Sequence, residues 1–117
     1  MKHGLEGPAK RLSAYVGEDM VYEDKPLYQA LIDTARTQGC AGATALRGMM
    51  GFGGSSRDVE KHGLRMSTDC PVMVNVIDET QRITALAAMW SAMIPAGLVT
   101  VEDIKVVHYA ADGDSAG

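Results

Sequence analysis

The stretch "CPVMVNVIDETQRITALAAMWSAMI", residues 70–94, joins the pattern of a β-strand to the pattern of an α-helix. Every second residue from Val72 to Val76 is a valine, and the alternate positions hold Met73, Asn75 and Ile77. Because nearly all of these side chains are apolar, we expect both faces of the strand to be covered, one by helices and the other by a partner subunit. From about residue 79 the apolar period becomes helical, so the segment predicts a strand followed by a packed helix.

The predicted helix has recognisable ends. Asp78 is the expected N-cap, with Gln81 at the third helical position of a capping box, and Pro95 with Gly97 ends the helix. The apolar run 83–99 is shorter than the roughly 20 residues that span a bilayer, so it predicts a helix packed on a sheet. The apolar stripe of this helix consists of Ile83, Leu86, Ala87, Trp90 and Met93.

A strand and a helix also precede this segment. Residues 11–17 alternate between apolar and polar and predict a strand. Residues 25–39 predict a helix, in which Pro26 suits the first turn and Gly39 supplies the left-handed residue that ends it. The segment 18–24 is expected to be a polar connection. The side chains expected to face the core are Leu12, Ala14 and Val16 on the strand, and Leu27, Leu31 and Ala35, with Tyr28 and Ile32, on the helix.

The remaining segments complete the predicted topology. Residues 41–52, rich in small side chains, predict a second strand, and the aperiodic segment 57–69 predicts a loop. Residues 102–110 predict the last strand, in which His108 is expected to be a packed histidine. The order β-α-β-β-α-β is typical of the α+β ferredoxin-like sandwich, with a four-stranded antiparallel sheet and two helices on one face.

The sheet face without helices is predicted to be apolar. An exposed apolar sheet face usually marks an interface, so we expect self-association as a closed ring. The side chains expected on this face are Met73, Ile77, Val107 and Tyr109, on the phase opposite Val74 and Val106.

Composition narrows the class of protein. The chain has 117 residues, enough for one domain, which we place at residues 10–110 with flexible ends at 1–9 and 111–117. Its formal charge of −4 argues against a nucleic-acid-binding surface, which needs clustered Lys and Arg.

Cys40 and Cys70 are expected to be free, buried thiols. No apolar signal region begins the sequence, so a cytoplasmic location is expected.

The segment "RGMMGFGGSS", residues 47–56, is the best candidate for a ligand contact. Backbone N–H groups without side chains can approach a phosphate or carboxylate closely, and the hydroxyl and guanidinium groups beside them can add hydrogen bonds. The alternative is a flexible strand exit, in which backbone shape alone requires the glycines. The candidate ligand-binding residues are Arg47, Gly48, Gly51, Phe52, Gly53, Gly54, Ser55 and Ser56.

Catalytic and metal-binding patterns are weak in this sequence. His3, His62 and His108 do not have the spacing of metal ligands, and Ser55 and Ser56 lack the G-x-S-x-G elbow of a nucleophilic serine. We therefore expect a protein that is not an enzyme and that carries no metal and no cofactor.

The motifs "KPLY", "GCAGATALRGMMGFG" and "GLVTVED" resemble the PII-like family known as domain of unknown function 190, over roughly residues 10–109. The resemblance implies a homotrimer of ferredoxin-like subunits that binds adenine nucleotides between subunits. It also implies that the loop after the second predicted strand, residues 54–68, engages a target protein such as a membrane transporter or channel. The residues of this partner loop are Arg57, Asp58, Glu60, Lys61, His62 and Arg65.

Two stretches depart from the PII pattern. The partner loop lacks the tyrosine that some PII proteins have modified, and "PAGLVTVEDI", residues 95–104, lacks the glycine-rich basic phosphate-binding sequence. The expected ligand is therefore an adenine nucleotide or another small metabolite. Two main functions stay open: a trimeric signalling protein that acts through its loop, and an oligomeric stress-tolerance or scaffold protein without a small ligand. A third, an enzyme that uses loop residues from adjacent subunits, is kept because a site assembled between subunits cannot be seen in one chain.

Overall fold

The computed structural model describes residues 5–48 and 70–110. Its main element is a four-stranded antiparallel sheet, with strand order β4-β5-β1-β6, and two helices cover one face of it. The elements in chain order are β1 Gly7–Gly17, β2 Val21–Tyr22, β3 Lys25–Pro26, α1 Leu27–Thr37, β4 Ala43–Arg47, β5 Pro71–Asp78, α2 Thr80–Met93 and β6 Leu98–Val106. The predicted ferredoxin-like α+β sandwich is confirmed.

The core lies between the sheet and the two helices. Val72, Val74 and Val76 of β5 are buried, and their partners in β1 are buried beside them. Trp90 of α2 is fully buried, and its indole N–H donates to the Leu31 carbonyl of α1 at 3.1 Å. The predicted alternation and both helical stripes are therefore correct. The core residues are Leu12, Ala14, Val16, Leu27, Leu31, Ala35, Val72, Val74, Val76, Ile83, Leu86 and Trp90.

Helix α1 ends as predicted. Gly39 has a φ of 79° and donates its N–H to the Arg36 carbonyl at 3.0 Å. Cys40 donates its N–H to the Ala35 carbonyl at 3.1 Å. These two hydrogen bonds form a Schellman motif, which requires a residue that tolerates the left-handed conformation.

Sequence analysis missed a small hairpin that begins in the predicted polar connection 18–24 and ends at Pro26, which was predicted in the first turn of the helix but is the N-cap of α1. Strands β2 and β3 pair through Val21 and Pro26, and the turn between them places Glu23 at a φ of 48° and Asp24 at 71°. Positive φ at both central residues is what a tight hairpin turn needs. Two-residue strands are too short to show an alternating pattern, which is why periodicity did not reveal them.

The predicted start of α2 is wrong by one residue. Glu79 is the N-cap, and no side chain caps the helix. Asp78 is the last residue of β5 and is fully buried; its carboxylate accepts the backbone N–H groups of Ala41 and Glu79. The pairing of Lys10 with Asp78 keeps Asp78 in the strand, so its carboxylate accepts the N–H groups of Ala41 and of the N-cap residue and does not cap the first turn of α2.

The last strand begins and ends four residues earlier than predicted. Leu98 pairs with Tyr15 and Val106 with Gly7, so "GLVT" belongs to β6. Val106 therefore lies on the same face as Ile77, opposite the core face, and its predicted phase is wrong. Val107 and Tyr109 lie beyond the strand.

The prediction of a packed His108 is also wrong. Its side chain is 81% exposed, and its Nδ1 lies 3.8 Å from the Glu6 carboxylate. Because β6 ends at Val106, His108 is not held in the sheet.

Candidate ligand site

Arg47 and Gly48 are the two predicted ligand residues that lie within the described part of the chain. Arg47 is the last residue of β4, and its Nε donates to Glu18 Oε2 at 2.8 Å. This hydrogen bond raises the pKa of the Arg47 guanidinium above its usual range. Most of the Arg47 side chain is exposed, so the guanidinium can still contact a ligand beside β4.

Gly48 is constrained by close contact with β5. Its N–H donates to the Pro71 carbonyl at 2.7 Å. A Cβ atom at position 48 would lie 2.8 Å from Pro71 Cγ, a proline ring atom that cannot swing away. At this one position backbone shape explains the glycine, in agreement with the alternative interpretation.

The other predicted contacts lie outside the described residues. They comprise the ligand residues Gly51, Phe52, Gly53, Gly54, Ser55 and Ser56 and the partner-loop residues Arg57, Asp58, Glu60, Lys61, His62 and Arg65. The structure therefore brings together Arg47, Gly48 and Glu18 and leaves the rest of the site as predictions.

Sequence analysis missed two cavities at the opposite end of β4. One has a volume of about 210 Å³ and lies against the end of α1; the other has a volume of about 320 Å³ and lies on the sheet face without helices. Ala41 and Gly42 line both cavities. Glycine and alanine leave room beside the backbone. The small residues of "GCAGATA" were therefore the sequence signal from which these cavities could have been predicted.

Charged groups surround the Ala41–Gly42 segment. Asp78 Oδ2 accepts the Ala41 N–H at 2.9 Å, and Arg82 Nε lies 3.9 Å from Asp78 Oδ1. Arg82 also reaches Glu79 at 3.3 Å, and within the described part of the chain its Nη1 is buried without a hydrogen-bond partner. Burial, with a smaller effect of the Asp78 charge, raises the pKa of the nearby Cys40 thiol. Cys40 is half-buried and Cys70 is buried, and neither forms a disulfide in the described part of the chain.

The sheet face without helices, here called the open face, carries side chains in rows that cross all four strands. The pairs Leu46–Met73, Met73–Tyr15 and Tyr15–Leu98 form one row, here called the apolar row. Leu46 is 52% exposed, Leu98 57% and Tyr15 40%. Large apolar side chains aligned on one face favour an interface.

A polar row lies beside the apolar row. It consists of Thr44, Asn75, Ser13 and Thr100, which pair in that order. The Ser13 hydroxyl donates to Asn75 Oδ1 at 2.6 Å. The predicted apolar open face is therefore interrupted by a polar band.

The described residues offer neither a cluster of metal ligands nor a helix that could cross a membrane. Residues 5–48 and 70–110 contain no group of three or more His, Cys, Asp or Glu side chains that could hold a metal ion. Neither helix in these ranges has the length and the apolar run that crossing a membrane requires.

The fold is similar to that of CPII from Thiomonas intermedia K12, described as a nitrogen regulatory PII-like protein. The structure of CPII bound to ADP, AMP and acetate matches with a TM-score of 0.58 and 18% identity, over 87% of this chain and 91% of CPII. A second CPII structure, bound to ADP, AMP and bicarbonate, matches with a TM-score of 0.57 and 19% identity, over 86% of this chain and 90% of CPII. These likenesses show a shared fold.

Sequence relatives identify the family. A UPF0166 protein of Aquifex aeolicus is 33% identical over 100 residues, which cover 85% of this chain and 93% of the relative. A UPF0166 protein of Methanocaldococcus jannaschii is 27% identical over 100 residues, covering 84% of this chain and 91% of the relative. The model of domain of unknown function 190 (DUF190), described as "Uncharacterized ACR", matches residues 9–106. The chain therefore belongs to the DUF190 family.

Proposed function

We propose that this protein is a PII-like regulatory protein. It self-associates as a homotrimer through the open face and binds an adenine nucleotide or another small metabolite between subunits. It acts on a partner protein through the loop after β4, and a membrane transporter or channel is the expected class of target. The observation that carries the proposal is the shared fold with CPII, whose structures contain ADP and AMP.

The open face supports self-association. The apolar row exposes Leu46, Tyr15 and Leu98 to water, and burying such side chains against a second copy removes apolar area from water. The cavity of about 320 Å³ lies on this face, with Ile77 and Val106 in its wall. A neighbouring subunit on the open face would therefore close the cavity into a cleft between subunits.

The ligand would occupy this cleft and extend along β4. The cleft begins at Ala41 and Gly42, and the glycine-rich segment starts at Gly48, at the other end of the five-residue strand. Backbone N–H groups in such a segment suit a phosphate or carboxylate. A ligand that binds more tightly to one conformation of residues 54–68 would change the affinity for the partner. The size of this change, as a free energy, cannot exceed the difference between the ligand's binding free energies for the two conformations.

Isothermal titration calorimetry with ADP, AMP and ATP tests ligand binding. We expect binding to the wild-type protein, weaker binding to Arg47→Gln, and none to Gly53→Val. Lys25→Gln is the matched control, because it also removes a cation from an exposed ion pair but lies at the β3–α1 junction. The absence of heat with all three nucleotides, or unchanged binding by Gly53→Val, contradicts this part of the proposal.

A melting experiment separates the regulator from the scaffold alternative. A ligand that binds the native state raises the melting temperature by mass action, so ADP is expected to stabilise the regulator and to leave a scaffold unchanged. The same samples test whether the protein is an enzyme. Recovery of the nucleotide unchanged, checked by chromatography, is the expected result, and its conversion contradicts the proposal.

A further inference from the structure

The proposed function assigns no role to the buried carboxylate of Asp78. Asp78 is fully buried at the end of β5, where an ionised carboxylate costs free energy unless it is paired and hydrogen-bonded. Its two oxygens have separate partners: Oδ2 accepts the Ala41 N–H at 2.9 Å, and Oδ1 accepts the Glu79 N–H at 2.8 Å. Arg82 supplies the opposite charge.

The Ala41 hydrogen bond holds a short chain segment between two cavities. The segment begins after the Schellman motif at Gly39 and Cys40 and ends where β4 begins at Ala43. Ala41 and Gly42 form the wall that the two cavities share. Glycine has no side chain and alanine only a methyl group, so the hydrogen bond to Asp78 holds this wall between the Schellman motif at one end and the pairing of Ala43 with Val76 at the other.

We propose that Asp78 is a positioning residue for the ligand site, because it holds the Ala41–Gly42 wall in the place where the ligand contacts it. This inference rests on the proposed function. Asp78 itself does not touch the ligand; its effect passes through the backbone of Ala41. The Arg82 guanidinium lies beside the Asp78 carboxylate, with 3.9 Å between Nε and Oδ1, and supplies a positive charge next to it.

Asp78→Asn removes this positioning with a small change in shape. An amide has one carbonyl oxygen, and its NH₂ group is a donor. The Ala41 N–H therefore either loses its acceptor or keeps one that is neutral, and a hydrogen bond to a neutral acceptor is weaker than one to a carboxylate. Glu79→Gln is the matched control. It also removes one negative charge beside Arg82, but the Glu79 side chain has no hydrogen bond to Ala41.

Two measurements report separately on the hydrogen bond that holds the wall and on the affinity for the ligand. Hydrogen exchange of the Ala41 amide, detected by NMR, is expected to become about tenfold faster or more in Asp78→Asn, because a hydrogen bond to a charged acceptor is lost. Calorimetric titration is expected to show weaker ADP binding by the same variant. Glu79→Gln is expected to change neither quantity.

A third measurement needs no variant and remains informative if Asp78→Asn fails to fold. ADP bound to the wild-type protein is expected to slow exchange of the Ala41 and Gly42 amides. Bound ADP without this protection overturns the inference, and so does equal ADP affinity of the wild type and Asp78→Asn. If the wild-type protein binds no ADP, the proposed function fails for this nucleotide. That result can be told apart from the two outcomes that overturn the inference, because in both of those the wild-type protein binds ADP.

Discussion

At the scale of single residues, Gly97 is the described glycine at which an added Cβ atom would make the closest contact. Its φ is 150°, and a Cβ atom there would lie 2.5 Å from the Tyr15 carbonyl oxygen and 3.2 Å from both Ile94 Cγ2 and Val16 Cγ1. A backbone oxygen in a paired strand cannot move aside. The tight turn between α2 and β6 therefore depends on the absence of a side chain.

We expect Gly97→Ala to lower the free energy of unfolding by about 2–4 kcal/mol, from backbone strain and overpacking together. Gly42→Ala is the control, because a Cβ atom at position 42 has no neighbour within 4 Å, and its change should be within about 0.5 kcal/mol. Urea denaturation followed by circular dichroism measures both. Equal stability of Gly97→Ala and the wild type would show that the turn can relax.

At the scale of elements, the β2–β3 hairpin is joined to α1 by an ion pair. Lys25 Nζ donates to Asp33 Oδ2 at 2.8 Å, and the Gln29 amide donates to Asp33 Oδ1 at 3.0 Å. These hydrogen bonds, the one from Lys25 first, lower the pKa of the Asp33 carboxyl below 3.8. The ion pair therefore connects the β2–β3 hairpin, which sequence analysis missed, to helix α1, which it predicted.

The lowered pKa of Asp33 predicts a pH dependence with a definite sign. A depressed pKa stabilises the fold above the unfolded-state pKa of 3.8, and this contribution disappears as the pH falls through the folded-state pKa. We expect Lys25→Met to raise the pKa of Asp33, as measured by NMR titration of the carboxyl carbon. The stability difference between Lys25→Met and the wild type should be present at pH 7 and should shrink below pH 3.8. An unchanged Asp33 titration in Lys25→Met would mean that the pair does not persist in solution.

At the scale of the whole molecule, the open face is the surface on which the proposed self-association depends. Its apolar row runs through all four strands, from Leu46 of β4 to Leu98 of β6. The polar row beside it restricts which parts of two copies can meet without burying unpaired polar groups. Both rows exist only because the four strands pair in one register.

We expect Leu46→Asp to convert the proposed trimer into single chains, because a charge would have to be buried without a partner. Val21→Asp is the control; Val21 is also apolar and 66% exposed, but it lies in the β2–β3 hairpin. Light scattering coupled to size-exclusion chromatography gives both masses. A trimeric Leu46→Asp, or a wild-type protein with the mass of one chain, contradicts assembly through the open face.

The sequence determined the elements whose signals are local. Periodicity was sufficient for the core faces of β1, β5, α1 and α2, and Gly39 was sufficient for the end of α1, because each signal depends on neighbouring residues along the chain. The four-stranded sandwich followed from the order of these elements.

Only the tertiary structure decided what depends on pairing between distant segments. The register of β6 moved Val106 to the open face and left His108 outside the sheet. The pairing of β5 directed the Asp78 carboxylate to the N–H groups of Ala41 and Glu79 and away from the first turn of α2. The shared cavity wall at Ala41 and Gly42 was hidden for the same reason. A cavity is space between segments that are far apart in the chain, so no local pattern of residues describes it.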